Sequence, residues 1–555
     1  MLEDFDPNQI QDDEGARRAI VMLLNLVEEL QSENQELREQ NQRLRDEINR
    51  LKGEQGKPNI KANKKKKSGS SSTDYSSEKE RHRPKKRRKQ SKKEKIEIDR
   101  EQVLKVDTET LPEDARFKGY EDVVVQDIKI ETDNVLFRKE KYHSASQHKV
   151  YIADLPVGYE GQFGPGIKSW IVVMYFAMNV TEPKIITFLE TVGIYISTGQ
   201  ISEILHGQVG GLHTEKEEIY EAGLRSTPWQ QIDDTAARVN GQNQYTHVVC
   251  NPFYTAYFTK PHKDRLTVLQ VLWGDRPLMF CLNDLAFAYL ESYSFSKVKR
   301  NKLAQLPREQ MFIRAEFEAL LEDRLPELGP RQFKQVLEAA AIAAYHTQDE
   351  FPIVDLLLAD DARQFKQIVE SLALCWIHDG RHYKKLMPSV EYHRRLLDEF
   401  LTKFWSFYHE LHAYRLDPTE AERERLDAKF DELFSTVTNY QNLDARIAKT
   451  KAKKEELLQV LEHPEIPLHN NDSELGARKQ KPKLNISFGP RTDAGVKIWD
   501  TGLTIVATAR KLGVNVLDYF RDRISKVNQM PSLSSSIEQR AADSHLDLSW
   551  QSEPP

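Results

Sequence analysis

Leucine recurs at every seventh position at Leu23, Leu30, Leu37, Leu44 and Leu51, and Ile20, Val27, Asn34, Asn41 and Ile48 stand three before each. Side chains of a β-strand repeat every two residues, so a period of seven can be satisfied only by a helix with one narrow apolar seam, and such a seam is buried by a second helix. The pattern predicts a leucine-zipper coiled coil over 19–52, preceded by an acidic tail over 1–18. Asn34 and Asn41 at the inner position cost stability and fix register, and in a parallel pair two such side chains can bond each other across the seam. A homodimer or higher oligomer is therefore expected. The alternative is an amphipathic helix packed on its own domain, where two Asn would be poor core residues.

The formal net charge of −6 conceals two regions of opposite sign: between Gly53 and Arg100, 18 Lys and Arg stand against 7 Asp and Glu. This stretch, read as a basic disordered linker over 53–100, has almost nothing apolar to bury. Its clusters Lys64, Lys65, Lys66, Lys67 and Lys85, Lys86, Arg87, Arg88, Lys89 are candidate DNA-phosphate contacts, which release counterions and make binding salt-dependent; a solvated linker is the plain alternative. Cys250, Cys281 and Cys375 have neither metal-ligand nor disulfide spacing and are expected as buried thiols in a reducing cytoplasm. The longest apolar run, Trp170 to Met178, is half of what a membrane span needs.

A small strand-containing region is expected over 101–160, with short strand-like runs from Ile128 to Pro156. Over 161–225 three helices are predicted, at Pro165 to Met178, Glu182 to Thr191 and Thr198 to Gly207, the last begun by the capping box of Ser197 and Gln200. The spacing suits a helix-turn-helix with Gln200 as a DNA-contacting candidate, and it suits a generic helical hairpin equally well.

Carboxylates at strand ends carry the chemistry. Trp229 to Ile232 reads as a strand ending in Asp233, followed by strands at Tyr245 to Cys250 and Tyr254 to Thr259; much later the apolar run Ile353 to Ala359 stops on Asp360. Hard divalent cations prefer oxygen ligands, and two ions about 4 Å apart can activate the attacking oxygen and stabilise the leaving one at a phosphodiester. Each Asp is followed by another, Asp234 and Asp361, and alternation lets one of each pair face the site without saying which. Strand-end aspartates are also ordinary turn formers. The third candidate, Glu474, stands in Asn470-Asn471-Asp472-Ser473-Glu474, where Asn471 and Glu474 could equally form a capping-box variant; Arg478 follows one turn on, near phosphate.

Four windows resemble the DDE transposases of the insertion sequence sixty-six family. Ile232-Asp233-Asp234-Thr235 is similar to that family's Ala-Asp-Glu-Thr, and Ala359-Asp360-Asp361 to its Ala-Asp-Gly. Cys375-Trp376-Ile377-His378 with Arg381 resembles its Cys-Trp-Ala-His segment, and Asn470 to Glu474 with Arg478 resembles its Asn-Asn-x-x-Glu-Arg-x-x-Arg helix. The resemblance implies an α/β ribonuclease-H-like catalytic core with Asp233, Asp360 and Glu474 as the catalytic and metal-holding triad, and His378 and Arg381 as support for the active site or the DNA backbone. It implies two Mg²⁺ ions, with Mn²⁺ as a substitute. It also implies a bacterial, nucleoid-associated enzyme acting on terminal inverted repeats and target DNA, with small accessory proteins as further partners.

Departures from the family are equally plain. No cysteines stand where the family carries a zinc-finger-like segment, so no zinc is expected, and Leu475 replaces the Arg that commonly follows the Glu. Within a catalytic domain over 226–480, two helical insertions are expected at about 261–350 and 390–461, the second as a solvent-exposed arm. A helical region over 481–527 and a disordered tail over 528–555 complete the chain. The function implied is cleavage and strand transfer of an insertion sequence; the alternative is a dimeric DNA-binding protein with an inactive ribonuclease-H-like domain.

Overall fold

A computed structural model of the chain describes residues 13–51, 96–107, 111–112 and 114–544. The two basic clusters, Lys64–Lys67 and Lys85–Lys89, lie outside the described residues. In chain order the helices are α1 (Asp13–Leu51), α2 (Pro165–Phe176), α3 (Glu182–Thr191), α4 (Thr198–Gly210), α5 (His213–Arg225), α6 (Arg265–Leu272), α7 (Asp284–Ser292), α8 (Lys297–Leu303), α9 (Arg314–Arg324), α10 (Pro330–Thr347), α11 (Trp376–Lys384), α12 (Glu391–Tyr414), α13 (Glu420–Leu433), α14 (Gln441–Lys451), α15 (Lys454–Leu457), α16 (Gln459–Glu462), α17 (Asn471–Ser487), α18 (Asp493–Lys511), α19 (Val516–Ile524) and α20 (Leu533–Asp543). The strands are β1 (Lys141–Ser144), β2 (Lys149–Ile152), β3 (Trp229–Val239), β4 (Gln242–Cys250), β5 (Thr255–Lys260), β6 (Met279–Cys281), β7 (Met311–Ile313), β8 (Leu356–Ala359) and β9 (Ser371–Leu374).

The protein is α/β, built on a mixed five-stranded sheet of order β5-β4-β3-β8-β9. β4 runs antiparallel to β3 and β5, while β3, β8 and β9 are parallel. The β3–β4 hairpin turns on Asn240 and Gly241, both at positive φ, the backbone that an Asn-Gly turn supplies at little cost. Apolar residues of β8 (Leu356 to Ala359) are buried throughout, as a central strand covered on both faces requires. Buried residues of α2 to α5, of the sheet, of α10 and of α18 to α20 join one continuous core, so the helices before the sheet and those after α17 are packed with it.

Several expectations need correction. Asp233 does not end its strand: β3 runs on to Val239 because β4 continues to pair with it, and only the pairing with β8 stops, at Gln231. The first insertion is not purely helical, since β6 and β7 pair antiparallel within it; strands of three residues are too short to show a period. The second insertion is no exposed arm. Phe404, Phe407, Phe430 and Phe434 of α12, α13 and the residue after it enclose Trp376 of α11, giving the insertion an aromatic core behind its charged outer faces. Of the strand-like runs between Ile128 and Pro156, only the hairpin β1–β2 is regular. Within the expected tail, α20 is folded: Ser532 caps it and Leu533 and Ile537, four apart on one face, are buried. The three cysteines are free and buried as expected, and among the described residues no helix is long and apolar enough to cross a membrane.

Two helices brace the sheet. α17 lies across β3 and β4, where Gly476 allows contact so close that a Cβ there would meet Val248 Cγ1 at 2.7 Å. α18 covers the outer edge of β5. Its Thr508, Thr504 and Asp500, spaced by one helical turn, accept hydrogen bonds from the backbone N–H groups of Thr255, Tyr257 and Thr259 at 3.2, 3.1 and 2.7 Å.

Candidate active site

The register of the parallel strands places the aspartates. Gln231 stands opposite Leu358, so two steps further along, where β8 ends and the strands part, Asp233 and Asp360 come side by side. Crevices at the carboxyl ends of parallel strands are the usual ligand sites of open α/β sheets. Side chains alternate along β3, and the face holding Gln231 and Asp233 is the one α17 covers, since the Ser473 N–H donates to Gln231 Oε1 at 3.4 Å. Asp234 points to the other side, where Lys263 Nζ at 2.9 Å and Gln364 Nε2 at 2.7 Å hold its carboxylate. Asp361 is held by Lys366 Nζ at 2.7 Å and by Lys453.

The two members of each Asp pair therefore differ electrostatically. Burial would raise the pKa of Asp361, but Lys366 and Lys453 hold it below the usual carboxylate value. Asp233 is pushed up to about 7, first by burial and then by the charge of Asp360. Among the described residues no cation lies within ion-pair distance of Asp233 or Asp360; each accepts a local backbone N–H, from Asp234 at 2.9 Å and Ala362 at 3.0 Å respectively.

Glu474 arrives from the first turn of α17. That helix is anchored by Asn470, whose Nδ2 donates to Ile232 O at 2.7 Å, one residue before Asp233, and whose backbone N–H donates to Cys375 Sγ at 3.3 Å. Tyr257 Oη donates to Gly476 O at 3.1 Å from the sheet side. The capping-box reading of Glu474 fails, because its carboxylate accepts from Arg381 at 3.3 and 3.4 Å instead of closing the helix start. Arg478 adds a looser ion pair at 3.7 Å and remains more than half exposed. Arg381 also donates to His378 Nε2 at 2.9 Å. Burial, then the charge of Arg381, lowers the His378 pKa, so its ring is neutral at pH 7 with Nε2 as acceptor. Arg381 and Arg478 thus bracket Glu474 with positive charge, and the His378 ring lies behind Arg381 as a hydrogen-bond acceptor.

Asp233 and Asp360 fit a divalent cation: two adjacent carboxylates, one disfavoured as an anion, with no cation at ion-pair distance among the described residues. Glu474 is close enough to act electrostatically on Asp233, but its oxygens are engaged by Arg381. Among the described residues no three His, Cys, Asp or Glu side chains converge at metal-ligand distance. Gln200 keeps its capping role, bonded to Ser197 and donating to Gln162 Oε1 at 3.3 Å.

Sequence reasoning missed the residues that discriminate between neighbouring aspartates, namely Lys263, Gln364, Lys366 and Lys453. It also left Asn470 and Cys375 unassigned as the anchor of α17. A buried network joins them to the second insertion: Asp379 of α11, 5% exposed, accepts from Arg446 and, at 2.7 Å, from Thr450, both on α14, and lies 3.7 Å from Lys453.

Comparison with known proteins gives kinship without chemistry. The chain is 32% identical over 306 residues to "Uncharacterized protein y4jO" of Sinorhizobium fredii, an alignment covering 55% of this chain and 94% of that protein. It belongs to that protein's family. No family model and no solved structure matches the chain.

Proposed function

We propose that the protein is a DNA transposase, with a ribonuclease-H-like core, that hydrolyses a phosphodiester at the ends of its element and uses the exposed 3′-hydroxyl to attack target DNA. The observation that carries this reading is the pair Asp233 and Asp360, set side by side and uncompensated where two parallel strands part, while Asp234 and Asp361 beside them are neutralised by lysines. The strand order, with the second strand antiparallel to the rest, supports the ribonuclease-H-like assignment, and the four family-like windows converge on this crevice.

In this reading Asp233 and Asp360 would hold Mg²⁺ or Mn²⁺, with Glu474 as the third carboxylate. A bound divalent ion supplies Lewis acidity at the phosphodiester and favours deprotonation of the attacking oxygen. The chain's own residues do the rest. Arg381 orients the Glu474 carboxylate, Asn470 fixes the start of α17 against β3, and Lys453 and Lys366 turn Asp361 away and so leave Asp360 to face the crevice. Arg478, exposed at the rim, is placed to meet a phosphate. Terminal inverted repeats, target DNA and accessory proteins of the element are the proposed partners, in the bacterial cytoplasm at the nucleoid.

A supercoiled plasmid carrying the element's ends, incubated with Mg²⁺, should yield nicked and joined products. Asp233→Asn, Asp360→Asn and Glu474→Gln should each abolish both, and undiminished products in any of them would remove that residue from the triad. The engagement of Glu474 by Arg381 favours one competing reading, a DNA-binding protein with an inactive core. Retained end binding with no Mg²⁺ binding by calorimetry would establish it.

A further inference from the structure

The face of α1 that docks onto the protein's own body is not the face that carries the heptad seam. Glu28, 6% exposed, accepts hydrogen bonds from the backbone N–H groups of Ser389 and Val390 at 2.7 and 3.1 Å, at the start of α12, and faces the buried His393 at 3.3 Å. Asn25 donates to Asn439 O at 3.0 Å and accepts from the Gln441 N–H at 3.1 Å, gripping the start of α14. A carboxylate at a helix start satisfies N–H groups that have no partner within the helix and lies at the positive end of its dipole. Meanwhile Ile20, Leu23, Val27, Leu30, Leu37, Leu44, Ile48 and Leu51 all remain exposed.

The occupant of that seam is set by charge. With Asn34 and Asn41 at the a position, Glu33 occupies g and Arg38 the following e, and Gln40 and Arg45 repeat the arrangement one heptad on. In a parallel pair each g residue meets the partner's next e residue, which joins Glu33 to the partner's Arg38 and Gln40 to the partner's Arg45. An antiparallel pair brings e onto e and g onto g, setting arginines against arginines. Parallel register also places each a-position Asn opposite its own copy.

We infer that two copies of this chain associate through α1 as a parallel, in-register coiled coil, each copy keeping its own α12 and α14 on the outer face of the helix. The interface is built by the same helix that grips α14, and α14 leads into Lys453, the residue that holds Asp361. Both folded bodies therefore lie at the same end of the coil in equivalent settings. This inference stands independently of the reaction proposed above.

Sedimentation of the full chain at micromolar concentration tests it, with thermal unfolding as a control that the body stays folded. The wild type should sediment at twice the 64.4 kDa chain mass, and Leu30→Lys with Leu37→Lys should sediment as a monomer. Leu44→Cys should give a disulfide-linked dimer on mild oxidation, since the three native thiols are buried. Arg38→Glu should weaken the dimer on the order of tenfold, and adding Glu33→Arg should restore it. A monomeric wild type, a dimer that survives the two lysines, or a dimer that Leu44→Cys fails to link would each overturn the proposal.

Discussion

The two halves of the candidate site are in opposite electrostatic states. At the strand ends Asp233 and Asp360 come close enough to repel each other with no cation at ion-pair distance among the described residues, and Asp233 is pushed up to about 7 by burial and by its neighbour. On α17, a few residues past the point where Asn470 ties that helix to β3, Glu474 is bracketed by Arg381 and by the more distant Arg478. Among those residues the strand-end pair has no ion-pair partner of its own, and Glu474 already has one. A folded protein tolerates like charges side by side where function needs them, and the strand-end pair supports the cation site proposed above in that way.

The contrast can be broken or sharpened by substitution. The largest effect is expected at the strand ends: Asp360→Asn should lower Mg²⁺-dependent cleavage about a thousandfold, whereas Asp361→Asn, which removes a lysine partner, should cost no more than about tenfold. Equal losses, measured as initial nicking rates, would erase the distinction between neighbours. Next in size is Arg381→Ala, which strands a carboxylate that is only 7% exposed. Urea unfolding should record a loss of about 1–3 kcal/mol, kept modest because the arginine itself is about a third exposed. No loss would mean that the bracket is ornamental.

The smallest effect concerns pH. The folded-state pKa of Asp233, about 7, lies above the value of roughly 3.9 for an unfolded Asp. Between those values the unfolded chain has released a proton that the folded chain keeps, so this group costs stability progressively as pH rises from about 4 to about 7. Asp233→Asn should therefore stabilise the metal-free protein at pH 8 by about 1–2 kcal/mol and leave it unchanged near pH 4. Thermal unfolding at the two pH values checks this, and Mg²⁺ should narrow the difference at pH 8 by stabilising the wild type alone.

What could be read in advance depends on how local each signal is. The heptads of α1 and the apolar run that ends at Asp360 are written within a few residues; the first folds as a helix and the second as a strand over its last four residues, Leu356 to Ala359. The partners that separate Asp233 from Asp234 are not local: Gln364 reaches Asp234 across 130 positions, and Asn470 reaches Ile232 across 238. Nothing in a window of ten residues announces such pairings. The second insertion failed for a different reason. Phe400, Phe404, Phe407 and Leu411 of α12 recur at helical spacing and are buried, yet the abundant Glu, Lys and Arg around them suggested an all-exposed arm. Glu474 illustrates the remaining ambiguity, because the same four-residue pattern suits a cap and the proposed site, and the contact with the distant Arg381 is what removes the cap.

The ladder of Asp500, Thr504 and Thr508 along β5 has a consequence for how this protein can go wrong. An exposed edge strand is a template for another chain's strand, the usual seed of aggregation and unplanned sheet extension. Here side-chain oxygens one helical turn apart occupy the N–H groups that an incoming strand would need. Loss of α18 by truncation or proteolysis would uncover that edge together with its apolar seat and open the molecule to polymerisation through its sheet.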